Sequence, residues 1–279
     1  QKCTMARPSL STVAELLKPI TWFPPMWAFA CGVVSSGEAF AGHWGLIVWG
    51  VLLAGPLVCA SSQAVNDWFD RHVDAINEPN RPIPSGRIPG RWGLYIACIG
   101  TIISLAVGFL IGPVVGVATI VGVAMAWAYS APPLRFKADG WLGPLVCAAA
   151  YEGVSWFTGA AVMAGGVPDS RIIWVLCMYA LGAHGIMTLN DFKAIEGDRR
   201  MGVASLPVQL GAHGAARMAC LFMLVPQVVV ALLLAHWQLP WHAAAVLALA
   251  VLQGPLMLKF LRQPVERALH VSAFGVPLF

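Results

Sequence analysis

A chain of 279 residues that is 58% hydrophobic and 11% charged, with a mean hydropathy of +0.73 and a formal net charge of +4, is a polytopic membrane protein. A soluble globular domain carries about 25% charged residues and is excluded. No Lys/Arg-rich tract of the kind that tracks nucleic acid is present, and the aromatic residues lie in apolar runs, so no nucleic-acid partner is expected.

The first residues are mixed and charged, so no cleavable signal peptide is expected. Gln1 in place of Met is expected of a sequence whose natural N-terminus is missing. Apolar runs long enough to span a bilayer, about 20 residues each, lie near 20–38, 45–66, 92–111, 113–130, 141–163, 172–190, 215–235 and 241–260. Another begins near Val271 and stops at Phe279. The expectation is an all-α membrane bundle of eight full transmembrane helices plus the start of a ninth, around a central cavity open to the cytoplasmic side. Seven cysteines (Cys3, Cys31, Cys59, Cys98, Cys147, Cys177, Cys220) lie mostly inside these runs without a C-x-x-C pair. They are small core residues in a reduced setting and not a disulfide or zinc framework.

Basic residues set the orientation. With the N-terminus inside, every Lys and Arg except Arg171 falls in an inner segment, from Lys2, Arg7 and Lys18 to Lys259, Arg262 and Arg267. The outer connections, such as Ile111–Pro113 and His236–Pro240, are short and poor in polar groups. Chemistry is therefore expected on the cytoplasmic side.

Two inner segments break the apolar pattern. Between Asn66 and Arg87, four carboxylates and three arginines fall within 22 residues. If the preceding helix continues, Asp67, Asp70 and Asp74 at i, i+3 and i+7 share one face and repel one another until cations occupy it. Mg²⁺ prefers such hard oxygen ligands, held by one or two carboxylates together with substrate phosphates. Arg71, Arg81 and Arg87 suit phosphate oxygens. The bland alternative is a solvated, charged helix end at the membrane surface. The second segment, Asn190–Arg200, weighs against that: it closes the sixth span with Asp191, Glu196 and Asp198, and four spans return the chain to the same membrane face. Both segments open with Asn-Asp and lead into a Ser-containing turn, a weak internal repeat within a single domain of two halves, roughly 1–139 and 140–279. Two opposed carboxylate patches suit two Mg²⁺ ions clamping a diphosphate. Metal and basic groups would then neutralise the charge that grows as a C–O bond breaks, and an apolar cavity would shelter an allylic cation.

The pattern Asn66-Asp67-x-x-Asp70-x-x-x-Asp74, the segment from Tyr129 through Arg135 to Lys137, and the second Asp-rich segment resemble the UbiA-type intramembrane prenyltransferase superfamily over nearly the whole chain. The strings around Asn66–Arg71, Asp74–Gly86 and Leu189–Arg199 are similar to its chlorophyll synthase branch. The opening Leu16–Phe29 is most like the bacteriochlorophyll-forming members of purple phototrophic bacteria. The resemblance implies Mg²⁺-dependent transfer of a geranylgeranyl or phytyl group from its diphosphate to the propionate of (bacterio)chlorophyllide. The substrate supplies the nucleophile, which agrees with a sequence lacking an obvious nucleophile–base pair. The setting implied is the cytoplasmic or intracytoplasmic membrane of a bacterium, with association to other pigment-synthesis or photosystem-assembly proteins. The wider superfamily usually has another Asp where this chain has Ala194. The second patch then rests on Asp191 and Asp198, with Glu196 turned about 140° away if the helix continues.

The remaining candidates each have two readings. Asn66 and Asn190 either end helices or contact metal and diphosphate, and their pairing with Asp in both segments favours the latter. Arg81 is expected to be functional, set between Asn80 and Pro82. Arg135 and Lys137 are positive-inside anchors or, with Tyr129, a loop over the diphosphate. Lys193 neutralises carboxylates or touches the diphosphate. Glu152, the one carboxylate well inside a span, lines a substrate chamber or makes a structural hydrogen bond. His184, among Gly182, Ala183 and Gly185, packs helices or contacts the macrocycle.

Two other classes fit poorly. A transporter places ionisable groups near the bilayer midplane, whereas these crowd the inner rim. A pigment-binding scaffold would place histidines in several spans, and only His184 qualifies. Among enzymes, the runner-up is prenyl transfer to a quinone precursor or haem.

Overall fold

The computed structural model describes residues 7–279; Lys2 and Cys3 lie outside the described residues. Nearly all of those described are helical, and among them no strand forms beyond one isolated parallel bridge between Asp139 and Ala204.

The helices in chain order are α1 (Leu10–Leu17), α2 (Phe23–Ser35), α3 (Trp44–Leu52), α4 (Ala60–Asn77), α5 (Trp92–Ile111), α6 (Pro113–Ser130), α7 (Leu142–Ala148), α8 (Ser155–Ala164), α9 (Ser170–Leu189), α10 (Ile195–Met201), α11 (Leu206–His236), α12 (Pro240–Arg262) and α13 (Pro264–His270). A π-helical turn, Leu53–Cys59, joins α3 to α4 as one rod, Trp44–Asn77. A second, Ala149–Val154, joins α7 to α8 as Leu142–Ala164. Pro56 lies in the first of these turns and removes a backbone donor, one recognised cause of such a break.

Among the described residues, seven helical rods are long and apolar enough to cross a membrane. The expected first span, 20–38, is shorter: α2 has 13 residues. Proline is favoured in a helix's first turn, where its missing N–H costs nothing, and Pro24 and Pro25 occupy the first turn of α2. Gly37, at φ 71, closes its end in the left-handed region that glycine occupies freely. Beyond α13, the chain continues as a π turn, Val271–Gly275, and a 3₁₀ turn, Val276–Leu278.

The described residues divide into two compact units, 7–135 with 150–173, and 136–149 with 174–279. In the first, α2 and α8 approach with backbone against backbone. A Cβ on Gly32 would fall 2.0 Å from the Trp156 carbonyl oxygen, and one on Gly159 equally close to that of Phe29. This is the small-residue contact by which membrane helices pack without a hydrophobic driving force. Also in this unit, α1 starts at Ser9, whose hydroxyl accepts from Thr12 N–H at 3.2 Å. It buries Leu16 among Ala64, Val65, Ile88 and Ala97. That packing seats α1 and the 78–91 loop beside α4.

In the second unit, α11 and α12 are tied by reciprocal amide hydrogen bonds of 3.1 and 2.9 Å between buried Gln227 and Gln253. Gln253 also donates to the Leu278 carbonyl at 3.1 Å, holding the last turn of the chain. Phe192 and Phe260 meet edge to face at the base of this core.

Candidate active site

Helix α4 presents the first acidic segment. A single Arg81 nitrogen, Nη1, lies 2.9 Å from Asp74 and 3.7 Å from Asp67, which places these carboxylates, two turns apart in sequence, on one face. Lys18 Nζ donates to Asp67 Oδ1 at 2.6 Å, and Arg135 Nη2 lies 3.4 Å from Asp70. Asp67 is buried, with 1% of its surface exposed, and its second oxygen, Oδ2, has no hydrogen-bond partner among the described residues. Arg81 also grips Glu78 through Nε and Nη2, both at 2.7 Å. Burial pulls the Arg81 guanidinium down, but Glu78, Asp74 and Asp67 together hold it above its ordinary value. Asn66 donates to Ser130 Oγ at 3.3 Å, which ties the acidic helix to the end of α6.

The second segment is built differently. Helix α9 tightens into a 3₁₀ turn, Asn190–Lys193, and breaks at Ala194 before α10 begins. The uninterrupted helix on which Glu196 would lie 140° away is therefore absent. Glu196 is exposed and paired with Arg200 at 3.0 Å and Arg199 at 3.8 Å. Asp191 and Asp198, half-buried, lie within electrostatic reach of each other and of Lys193, and neither carboxylate makes a hydrogen bond or ion pair with any described residue. Asn190 and Lys193 are exposed. The loop that follows is pinned by Gly140 N–H to Ala204 O at 2.8 Å and Ala204 N–H to Ala138 O at 3.2 Å.

These donors fit a hard divalent cation. The orphaned Asp67 oxygen and the unpaired Asp191 and Asp198 are oxygen ligands without a cation in contact. Among the described residues no three His, Cys, Asp or Glu side chains converge on one point. One or two carboxylates per segment is the share Mg²⁺ takes from protein when phosphate and water complete its shell.

Residues 20–274 match the UbiA prenyltransferase family. The chain belongs to that family. It is 54% identical over 272 residues to the "Bacteriochlorophyll synthase 33 kDa chain" of Cereibacter sphaeroides, covering 98% of this chain and 90% of that one. It is 35% identical over 279 residues to "Chlorophyll synthase, chloroplastic" of Avena sativa, covering 95% and 72%. The fold is similar to that of a UbiA homolog from Archaeoglobus fulgidus solved bound to GPP and Mg²⁺, with a TM-score of 0.73 at 19% identity and coverage of 96% and 99%. The protein is an integral membrane prenyltransferase.

Other expected site residues fall at various places within this prenyltransferase. Arg71 does not join the acidic face: its guanidinium stacks 4.1 Å over the Trp68 ring and donates to the Trp68 carbonyl at 2.6 Å. Tyr129 is half-buried in the last turn of α6, and Lys137 half-buried in the 3₁₀ turn Phe136–Ala138. Glu152 lies in the second π turn. His184 is 1% exposed, stacked on Phe222 at 4.2 Å, with Nε2 3.0 Å from the Trp141 carbonyl. Its other ring nitrogen, Nδ1, is buried without a hydrogen-bond partner among the described residues. An apolar groove of about 450 Å³ between α6 and α8, lined by Pro113, Val117, Val121 and Phe157, is at the opposite end of α6 from Tyr129.

The sequence marks Lys18 only as an inner basic anchor and does not show its contact with Asp67. Lys18 and Arg135 both hold positive φ, 47° and 39°, and both meet the α4 aspartates. A non-glycine residue in that region is uncommon and concentrates at functional sites. The available signal was Lys18 standing between an amphipathic helix and Pro19.

Proposed function

We propose that the enzyme transfers a geranylgeranyl or phytyl group from its diphosphate to the propionate carboxylate of bacteriochlorophyllide, forming the esterified pigment. The observation that carries this reading is the 54% identity to a bacteriochlorophyll synthase chain across nearly the whole length. The distribution of basic residues supports an N-terminus and both acidic segments on the cytoplasmic side.

In this proposal, Asp67, Asp70 and Asp74, with Asp191 and Asp198 of the second segment, hold two Mg²⁺ ions against one diphosphate. Bound there, Mg²⁺ supplies Lewis-acid neutralisation of the leaving group. Lys18, Arg81 and Arg135, already gathered on the α4 carboxylates, provide charge-assisted donors to phosphate oxygens. The prenyl tail lies among the apolar spans, where water is excluded from the allylic cation. The acceptor's carboxylate is the nucleophile, so the protein needs no strong base.

Purified enzyme given Mg²⁺, geranylgeranyl diphosphate and either bacteriochlorophyllide or 4-hydroxybenzoate tests this by product mass. The expected product is the bacteriochlorophyllide ester. Prenylated 4-hydroxybenzoate without that ester would replace this reading with a quinone-precursor prenyltransferase.

A further inference from the structure

The polar face of α4 continues past Asp67 into the membrane-spanning part of the rod. One turn deeper, about 6 Å by helix rise, it carries Gln63, and one turn deeper again the rod carries Cys59. Both donate to the Tyr151 hydroxyl, Gln63 Nε2 at 3.0 Å and Cys59 Sγ at 3.3 Å. Tyr151 belongs to the π turn Ala149–Val154, and Cys59 ends the other π turn of this unit. Such turns are rare and frequently mark functional sites. The hydrogen bonds fix the Tyr151 turn one to two helical turns below the leading carboxylate of the acidic face.

The next residue in this turn is Glu152, flanked by Ala149, Ala150 and Gly153. Its carboxyl makes no hydrogen bond or ion pair with any described residue, and the Cys31 thiol of α2 is within its electrostatic reach. An ionisable side chain inside a span is costly, and one without a partner is a functional group by default. At this depth the prenyl diphosphate offers only hydrocarbon, because its charged end is held at the carboxylates above. The substrate that brings hydrogen-bonding groups here is the acceptor.

Resting on the function proposed above, we propose that Glu152 orients the acceptor carboxylate. Two carboxyl groups brought this close hold one proton between them, and with that proton Glu152 donates a hydrogen bond to the acceptor oxygen that does not attack. The other acceptor oxygen forms the new bond to C1 of the prenyl group as the C1–O bond breaks, and that electron pair leaves on diphosphate. The proton stays on Glu152, which then donates to the ester carbonyl. Tyr151, held by Gln63 and Cys59, is a positioning residue that sets the depth of the turn.

The test uses purified full-length enzyme in lipid nanodiscs with Mg²⁺, geranylgeranyl diphosphate and bacteriochlorophyllide, measuring ester and free prenyl alcohol separately. Glu152→Leu is expected to cut ester formation about 30-fold, the worth of one hydrogen bond to a charged group, and to raise KM for bacteriochlorophyllide. Diphosphate release is expected to continue, with prenyl alcohol taking a larger share. Glu152→Gln, which keeps a donor, is expected to restore ester formation to within about threefold of wild type. Wild-type ester yield in Glu152→Leu, or equal loss of ester and alcohol in it, overturns the inference while the proposed function stands. A wild-type enzyme that forms no ester overturns both.

Discussion

The two acidic segments start from the same Asn-Asp pair yet reach different electrostatic states. On α4, Lys18, Arg81 and Arg135 are gathered around Asp67, Asp70 and Asp74, and one carboxylate oxygen is left buried without a partner. At the end of α9, Asp191 and Asp198 face each other's charge with no cation in contact, and the nearby arginines are taken by Glu196. The difference follows from chain context. The α4 segment is followed by a folded loop and preceded by α1, both of which return basic side chains to it. The α9 segment breaks at Ala194 and turns its basic residues outward. The first segment is thus a built cradle of donors and acceptors, and the second is a bare acidic pair whose repulsion an added cation relieves.

The comparison breaks first at the aspartates. Asp67→Ala and Asp191→Ala are each expected to lower turnover by about 100- to 1,000-fold, the cost of losing a principal electrostatic stabiliser, while the protein still elutes as wild type. Near-normal turnover in either would remove that residue from the site. EDTA is expected to abolish activity and Mg²⁺ to restore it. If the bare pair is the more dependent on metal, Asp198→Asn raises the Mg²⁺ needed for half-maximal rate about 10- to 100-fold, whereas Asp70→Asn, beside Arg135, raises it less. The reverse order would dissolve the contrast.

A smaller effect concerns stability. Lys18→Met leaves Asp67 buried with only Arg81 nearby, at 3.7 Å, which costs about 3 kcal/mol by the usual penalty of breaking a buried pair. Its melting temperature in detergent should fall clearly, while Lys193→Met, at the exposed end of the bare pair, should leave it unchanged. Equal melting temperatures would show that the α4 cradle is not preassembled.

The smallest effect lies at the rim of the cradle, where Glu15 and Arg87 pair across α1 and the 78–91 loop and Arg87 also donates to the Asn80 carbonyl at 2.6 Å. The Arg87 hydrogen bond holds Glu15 below its ordinary value of 4.5. Its contribution is complete above that value and is lost as pH falls through the lowered one. Glu15→Gln should be slightly less stable than wild type by a margin that is constant between pH 7 and 5 and closes in stronger acid; a margin that changes between pH 7 and 5 would contradict it.

Helix limits were legible where the chain punctuates itself. Gly112-Pro113 separates two expected spans, 92–111 and 113–130, and α5 and α6 take these limits. Composition alone overestimated the first span, because apolar residues around Pro24 and Pro25 counted toward length while the prolines occupy the first turn of the helix that forms. The shared face of Asp67 and Asp74 followed from helical period. Arg71 escaped that logic: it lies beside Asp70 in sequence, but three residues after Trp68, and the ring offered a nearer seat. The helix end and Pro19 flagged the position of Lys18 but not its partner, because the contact is made 49 residues away. The π turns left no mark in apolar runs that have no polar face to register a slip.

In the proposed reaction both segments act on one Mg²⁺-bound diphosphate. A double-mutant cycle tests it most directly, titrating a non-ionising prenyl thiolodiphosphate with Mg²⁺ into wild type, Asp67→Asn, Asp191→Asn and the double variant. If the two carboxylates serve one ligand, each single change weakens binding severely and the double is scarcely worse than either, a coupling beyond about 1 kcal/mol. Full affinity in either single variant, or losses that simply add, would contradict the account.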